Sequence, residues 1–326
     1  MFSNRLYQEI KVPQYSKGLI FCRDKKTCTG IAKTLNTSHD VIYDDLNKLS
    51  QSLDAGRNDL LELAKTTFKN NRIYLILDDT TICKPYSHEI EAVEQVFDGS
   101  SKQITHGFKI TNVLLTDTAH KIPVDASPYV SKALAQGSYK SKSELASEFL
   151  FNLKDYFNVE RVLADAHFAT KLFINSLDKH GVNYLMKIPR NRTVTIDGKT
   201  GQLKEIFKLK KNSNSRVVKA NFDGTDHYFY AVKLSNKKVV YFISNDLIDR
   251  SKIESLYKIR WNIETFYQVA KQHLGLKDCQ ARSIEKQLQH VIFVMHAYAY
   301  ADLTRVKMKF HCIQDAIRWL RVVKST

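Results

Sequence analysis

Four polar residues near the C-terminal end of the chain have the spacing of a single helical stripe. They are Tyr257, Arg260, Glu264 and Lys271, in a run from Ser251 to His273 that contains neither Pro nor Gly. Each residue of an α-helix advances by about 100°, so these side chains fall within a stripe about 60° wide. A buried stripe would be apolar. We therefore expect a working surface, with a carboxylate that holds a metal ion beside cations that hold phosphates.

Two further acidic positions follow apolar runs. The run 71–77 ends in Asp78 and Asp79, and the run 159–164 ends in Asp165. Continuous apolar runs of this length are typical of strands that are buried on both faces of an α/β sheet. Because successive strand residues point to opposite faces, Asp78 and Asp79 cannot both face the same side. Strand parity does not say which face is catalytic, so both residues stay open as the first acid.

Three carboxylates in one fold indicate metal-dependent chemistry. A lone carboxylate at a strand end is usually a cap or a solvated loop residue, but carboxylate oxygens are also the ligands that Mg²⁺ prefers. Two such ions about 3.5–4 Å apart activate the attacking oxygen and stabilise the leaving oxygen of a phosphodiester. Neighbouring cations would hold the phosphate backbone. The residues therefore point to phosphodiester chemistry at Asp165, Glu264 and one of the paired aspartates.

The charge of the chain favours a nucleic acid as its partner. The 326 residues include 50 Lys and Arg against 34 Asp and Glu, a net charge of +16. Such an excess attracts polyanions, although a basic soluble protein without that role would share the composition. The five cysteines lack C-x-x-C spacing, which argues against a zinc site and a disulfide framework, so we expect a reducing, cytoplasmic location. The most apolar run, 291–300, is too short to cross a bilayer, and we expect it to be a core helix.

The order of the predicted elements indicates an α/β fold with a ribonuclease-H-like catalytic core, a mixed sheet with helices. The core begins at 70–190, is interrupted by a β-rich insertion at 191–246, and is completed at 247–326 by the helix that carries Glu264 and by C-terminal helices. An N-terminal helical domain occupies 1–69. The individual predictions are strands at 71–77, 106–116, 121–126, 159–165 and 183–189, helices at 141–156, 168–180, 251–273 and 303–326, a core helix at 291–300, and turns at 197–198, 223–224 and 235–237.

The N-terminal domain has two readings. The segment 27–49 carries two short apolar patterns, separated by Asn36-Thr-Ser38, which can end one helix and cap the next. Two short helices around a polar turn are typical of a helix-turn-helix, which places its second helix in a major groove. A plain helical bundle has the same pattern, and the sequence does not separate the two.

Several motifs together resemble the DDE transposases of the bacterial insertion-sequence-four family. The shared features are Asp79-Thr-Thr81, Ala164-Asp-Ala166, the β-rich insertion, and the spacing Tyr257-x2-Arg260-x3-Glu264-x6-Lys271. A lone Asp-Thr-Thr would be weak, whereas the four-residue helix signature in this order is specific. The likeness covers roughly residues 70–305 and extends to the flanks at 181–189 and 271–277.

The resemblance implies a role for each matched residue. Asp79, Asp165 and Glu264 would be the catalytic carboxylates that bind two Mg²⁺ ions, with Mn²⁺ as a substitute. Tyr257, Arg260 and Lys271 would contact DNA phosphates near the scissile bond. The protein would cut double-stranded DNA at terminal inverted repeats and join the 3′ ends to target DNA, as a homodimer in the synaptic complex and in association with the bacterial nucleoid.

Family members also use an aromatic side chain to stack a flipped base. Trp261 is one candidate, although it could instead pack against the sheet. The insertion contains no Trp, so a replacement there would have to be Tyr228, Phe229 or Tyr230.

Other polar residues and other functions stay open. His106 and Lys109 would face DNA or be ordinary polar residues of an edge strand, and His167 would be a helix start or a neighbour of the active site. Two alternative functions are a catalytically silent DNA-binding repressor derived from a transposase, and a metal-dependent nuclease without strand transfer.

Overall fold

A computed structural model describes residues 12–47, 49–87, 89–99, 101–134, 139–210, 213–234 and 238–323. The chain divides into two compact units. Unit 1 comprises Met1–Lys69, Asp79–Lys140 and Ile263–Thr326, and unit 2 comprises Asn70–Asp78 and Ser141–Asn262. The chain passes between the units four times, and two of these passages lie inside an element: one within a strand, between Asp78 and Asp79, and one within a helix, between Asn262 and Ile263.

From residue 12 onward, where the described part of unit 1 starts, four helices follow one another: α1 (Gln14–Phe21), α2 (Cys28–Leu35), α3 (His39–Asn47) and α4 (Leu49–Phe68). The predicted break between the second and third helices is confirmed. Asn36 adopts the left-handed conformation with φ of 55° and ends α2, as Asn does more readily than most residues. The Ser38 hydroxyl then accepts the backbone N–H of Val41 at 3.3 Å and caps α3.

The strands of unit 1 are the last residues of β1 (Arg72–Cys83), then β2 (Glu94–Asp98), β3 (Gln103–Thr116) and β4 (Lys121–Tyr129). Strand β3 pairs antiparallel with both β2 and β4. The two strands predicted at 106–116 and 121–126 are confirmed and are longer than expected. Strand β2 lies between the strands predicted at 71–77 and 106–116, in a segment for which no element was predicted. It was missed because only Val96 and Asp98 of its five residues are buried.

The helices that complete unit 1 are α9 (Trp261–His273, from Ile263), α10 (Ile284–Lys307) and α11 (Ile313–Val323). The predicted core helix at 291–300 is confirmed as the buried centre of α10, which packs on β4 and α4. The single helix predicted over 303–326 is wrong, because α10 ends at Lys307 and Lys309 has a φ of 57°. Among the described residues, no helix is both long and apolar enough to cross a membrane.

A buried histidine ties α10 to the loop after α9. Nδ1 of His290 lies 3.0 Å from the Tyr15 hydroxyl oxygen, and Nε2 lies 2.9 Å from the carbonyl oxygen of Gly275. A neutral ring satisfies both contacts, since Nε2 donates to the carbonyl and Nδ1 accepts from the phenol. Complete burial lowers the pKa of His290 to about 4.

This burial predicts an acid-sensitive fold. The pKa of this ring is lowered from 6.5 to about 4. Its contribution to the free energy of unfolding is therefore complete above pH 6.5 and is lost as the pH falls towards 4. The loss is about 3 kcal/mol. Urea unfolding between pH 7 and 4 should show that loss in the unmodified protein and little of it in His290→Gln. Parallel pH profiles for the two proteins would contradict the prediction.

Unit 2 contains the parallel strands β1 (to Asp78), β5 (Asn158–Ala164) and β6 (Tyr184–Ile188), with helices α5 (Lys142–Leu153) and α6 (Lys171–Lys179) between them. The predicted elements in this stretch are confirmed, although α6 starts later than expected. Thr170 is its cap and accepts the N–H of Phe173. The predicted start of α5 coincides with a capping box of Ser141 and Glu144.

The β-rich part of unit 2 extends the pairing from β6. Strands β7 (Thr193–Ile196) and β8 (Lys199–Gln202) form one hairpin, and a short helix α7 (Leu203–Ile206) follows that was not predicted. Strands β9 (Ser215–Phe222), β10 (Thr225–Lys233) and β11 (Val239–Ser244) pair antiparallel, and β11 pairs with β6. The Asp197-Gly198 and Asp223-Gly224 turns have positive φ at all four residues, as two-residue hairpins require. The turn predicted at 235–237 lies outside the described residues.

The helix predicted without interruption over 251–273 is wrong. Helix α8 spans Ile253–Lys258, and α9 starts at Trp261. Between them the N–H of Ile259 bonds to Leu256 and that of Arg260 to Tyr257, each at 3.1 Å and each three residues back. These tighter turns rotate the chain relative to a regular helix. Taken together, the strands and helices form a mixed α/β architecture with parallel and antiparallel pairing, as predicted.

Candidate functional site

Arg260 is buried in an ion pair with Asp78. Its Nη1 lies 2.8 Å from Oδ2 of the aspartate, and the side chains are only 7% and 14% exposed. The helical stripe predicted an exposed position for Arg260, and that prediction is wrong. Both members of the pair lie in unit 2, so the pair joins the β1 part of that unit to the turn between α8 and α9.

Tyr257 is also buried, with 5% of its surface exposed. Its hydroxyl lies 3.5 Å from the carbonyl of Ala164, the last residue of β5. The ring packs edge-on against Phe242, with centroids 4.9 Å apart. Burial raises the pKa of this phenol well above its usual value, and the nearby Arg260 opposes that rise. Tyr257 is therefore a packing residue beneath the end of β5, and its expected exposure is wrong.

Asp165 follows β5 directly and keeps a third of its side chain exposed (33%). One carboxylate oxygen accepts the N–H of Ala166 at 2.6 Å. The other lies 3.6 Å from Nδ1 of His167, whose side chain is 73% exposed. Asp165 thus remains accessible at the carboxyl end of a parallel strand, where ligands of α/β proteins commonly bind.

Lys187 lies near the carboxyl end of β6, the strand that pairs with β5. No role was predicted for this residue. Strand β6 pairs with β5 so that Met186 lies opposite Ala164, and Lys187 therefore lies beside the end of β5. Its ammonium is 4.9 Å from the centre of the Tyr257 ring, within the range of a cation–π contact. A lone Lys at the end of an otherwise apolar strand was the available signal.

Asp79 and Glu264 both belong to unit 1. Asp79 is the residue of β1 after Asp78, is half-buried, and by strand alternation points to the opposite face. Glu264 is also half-buried and lies in the first turn of α9, where the helix dipole favours a negative charge. Lys271 is two turns further along α9, and burial together with Lys277 lowers its pKa.

Partly exposed carboxylates of this kind fit a hydrated Mg²⁺ ion, which takes oxygen ligands and keeps several waters. Within the described ranges, no group of three or more His, Cys, Asp or Glu side chains that could hold a metal ion occurs. The three predicted acids are divided between unit 1 and unit 2.

The aromatic candidates differ in their exposure. Trp261 is 58% exposed at the start of α9, which excludes a fully packed position. Phe229 and Tyr230 are completely buried, and the Tyr230 hydroxyl accepts the N–H of Ile248 at 2.7 Å. Neither ring is exposed for stacking on a base, so the structure does not favour these two candidates. Tyr228 is the one of the three that is partly exposed.

The remaining polar candidates lie on β3. His106 and Lys109 are both half-buried, and the carbonyl of His106 accepts the N–H of Lys84 at 2.7 Å. His106 is opposite Gln95 in the pairing with β2. The main chain of His106 is therefore part of the sheet. Strand β2 pairs with the edge of β3 that was expected to be open.

Comparisons with known proteins place these features in a family. A family model described as "Transposase DDE domain" matches residues 72–300, and no match was found among curated proteins. Among solved structures, a piggyBac transposase synaptic complex with hairpin DNA is similar at 15% identity and a TM-score of 0.51, over 76% of this chain and 51% of that chain. This chain thus spans about half of that protein, and the likeness supports the fold.

Two further structures have lower similarity. The NurA nuclease from Sulfolobus solfataricus aligns at 11% identity and a TM-score of 0.28, over 82% of this chain and 95% of that one. The Mos1 transposase paired-end complex with left transposon end aligns at 10% identity and a TM-score of 0.20, over 56% of each chain.

Proposed function

This chain belongs to the family of transposase DDE domains, and on that premise we propose that it is a DNA transposase. It would cut at the terminal inverted repeats of an insertion sequence and join the freed 3′ ends to target DNA. The observation that carries the proposal is the family match over 72–300, because that range includes all three candidate acids. The spacing of Tyr257, Arg260, Glu264 and Lys271 supports membership of the insertion-sequence-four branch.

We assign the catalytic and metal-binding roles to Asp79, Asp165 and Glu264. Two Mg²⁺ ions, or Mn²⁺ in their place, would supply the charge that activates the attacking oxygen and stabilises the leaving one. Asp79 is preferred to Asp78 as the first acid, since the Asp78 carboxylate is held by the buried guanidinium of Arg260.

The proposed DNA contacts differ from the roles that the resemblance implied. Tyr257 and Arg260 are too buried to reach a phosphate, and we assign them to positioning, through the Ala164 carbonyl and Asp78. Phosphate contacts are proposed for Lys271 and Lys187. The exposed Trp261 is the proposed surface for stacking on an unpaired base.

Each of the four segments of the chain also has a proposed role. Residues 1–69 would bind the DNA ends, 70–190 and 247–326 would form the ribonuclease-H-like core, and 191–246 would be its β-rich insertion. The working form would be a homodimer in the synaptic complex, in the cytoplasm and associated with the nucleoid.

Helix α3 is a poor recognition helix for DNA. It contains three aspartates and no Lys or Arg, and Asp40 and Asp44 are exposed, so it would repel the phosphates that flank a major groove. The loop before α2 carries the exposed cations Arg23 and Lys25 instead. We therefore propose that the N-terminal region contacts DNA through this loop.

Replacing Arg23 and Lys25 by Ala together should weaken DNA binding and lower its salt slope by about 2, because two phosphate contacts are lost. The matched control replaces Asp40 and Asp44 by Asn, which removes repulsion and should leave binding equal or tighter. Fluorescence anisotropy over a range of salt concentrations measures both. Weaker binding by the Asn variant alone would favour α3 as the recognition helix.

The function is tested with a plasmid in which a marker gene lies between the DNA segments that flank this gene in its genome. The purified protein, Mg²⁺ and a target plasmid are added, and products are sequenced across their junctions. A transposase yields excised marker joined to target. Cutting without joined products would identify a nuclease, and binding without cutting would identify a silent repressor.

A further inference from the structure

The loop between α9 and α10 is held by a buried lysine. Lys84 directly follows β1 and is only 5% exposed. Its Nζ donates to the carbonyl of Lys277 at 2.9 Å and also to that of Cys279. All of these residues belong to unit 1. A single ammonium group therefore connects the end of β1 to the loop that follows α9.

Burial of this ammonium group lowers the stability of the fold, because the charge is removed from water. Removal from water lowers the pKa of Lys84, because burial disfavours the charged form. Its ammonium donates instead to two main-chain carbonyls, which are neutral partners. A methionine of similar length would fill the space without that cost. The carbonyls of Lys277 and Cys279 would then lose a donor, which suggests that the lysine is retained to hold the loop.

Other contacts to this loop come from its own surroundings in unit 1. His290 donates to the carbonyl of Gly275, and Gln287 donates to those of Cys279 and Ala281. Both residues are on α10, so they fasten the loop to that helix. Lys84 is the contact that fastens it to β1.

The two elements that Lys84 joins are those that carry two of the proposed catalytic acids. Asp79 lies five residues before Lys84 on β1, about 17 Å along an extended strand. Glu264 lies nine residues before the end of α9, about 14 Å along the helix. A strand and a helix of these lengths behave as short rods, so a tether at their far ends restricts how the acids at their near ends can move.

We propose that Lys84 is a positioning residue, which sets Asp79 and Glu264 relative to one another by tying the loop after α9 to the end of β1. This inference rests on the proposed function, since it is for metal-dependent cleavage that the two acids need a fixed separation. Lys84 itself is too buried to touch DNA or the reacting atoms.

The test compares Lys84→Met with a control variant, Lys121→Met. Lys121 is a half-buried lysine of unit 1 whose pKa is also lowered by burial, and its backbone N–H donates to Asp302, at the opposite end of α10 from the loop. Lys84→Met should raise the Mg²⁺ concentration for half-maximal cleavage by about tenfold or more, since partners that orient metal ligands have effects of that size. It should leave the Kd for DNA within about twofold, and Lys121→Met should alter neither the Mg²⁺ dependence nor the Kd.

Two readouts do not depend on cleavage. Amide hydrogen exchange at 274–281 should become faster in Lys84→Met and stay unchanged in Lys121→Met. Binding of Mn²⁺, followed by electron paramagnetic resonance, should weaken about tenfold in the first variant only. If Lys84→Met does not fold, Lys84→Gln is used, because its amide keeps a donor and should give smaller changes in the same direction.

The outcomes separate this inference from the proposed function. If loop exchange and metal dependence are unchanged in the folded Lys84 variants, the positioning role is wrong. If the unmodified protein neither cuts DNA nor binds Mn²⁺, the proposed function is wrong, and so is a positioning role that serves it. Faster loop exchange would then show only a structural tether.

Discussion

Glu264→Gln is expected to reduce Mg²⁺-dependent cleavage by about a thousandfold or more, equivalent to roughly 4 kcal/mol of transition-state stabilisation. The amide keeps the size of the side chain but removes a charged oxygen ligand from the proposed metal site. Folding should hardly change, because Glu264 is half-buried in the first turn of α9 and makes a dipole contribution of about 0.3–1 kcal/mol. The Kd for DNA should stay within about twofold.

A matched control is available on the preceding helix. Glu254→Gln removes an equal charge from α8, where the carboxylate forms an exposed pair with Lys258 at 3.1 Å. That variant should cleave normally, since exposed pairs contribute little. Both variants are assayed on the same end-containing plasmid over a range of Mg²⁺ concentrations. Cleavage by Glu264→Gln at the rate of the control would show that the third acid has been assigned to the wrong residue.

The second large effect concerns the neighbouring aspartates of β1. Arg260→Met should lower the free energy of unfolding by about 3–5 kcal/mol, because it leaves the Asp78 carboxylate, 14% exposed, without its cation. Asp78→Asn should also destabilise the protein, and the double variant should lose less than the sum of the two, because it leaves no unpaired charge. Urea unfolding measures all three.

Asp79→Asn should behave in the opposite way. As a half-buried residue on the other face of β1, it should change the free energy of unfolding by less than about 1 kcal/mol and abolish cleavage. The stability control is Arg318→Met, which breaks an exposed pair with Asp315 and should cost under about 1 kcal/mol. If Asp78→Asn is stable and inactive while Asp79→Asn is unstable, the roles of the two aspartates are reversed.

Local patterns predicted much of the fold. The apolar runs before Asp79 and Asp165 predicted β1 and β5, because a strand buried on both faces needs apolar residues at every position. The Asp-Gly pairs predicted two hairpin turns, since those residues tolerate positive φ. The Asn36–Ser38 break was predicted for a similar reason. Each of these signals lies within a few residues of the structure that it specifies.

The features that were not predicted depend on contacts between distant parts of the chain. Strand β2 has a mixed sequence and gains its order from pairing with β3. The break between α8 and α9 falls in a run of good helix formers, where propensity gave no warning. It occurs at Arg260, which bonds to Asp78, a residue 182 positions away in the chain. Lys84 and Lys187 likewise have contacts that no local pattern reveals.

The sequence by itself determined which residues have the chemistry of this family. The types of the three acids and the four-residue spacing are fixed by the covalent sequence, and the strand or helix around each acid follows from local patterns. These features indicated the family without a structure. Only the tertiary structure decided which side chains remain accessible. Burial depends on what packs from distant parts of the chain, so Tyr257 and Arg260 become interior residues, Asp78 becomes an ion-pair partner, and Lys84 becomes the tether of the loop after α9.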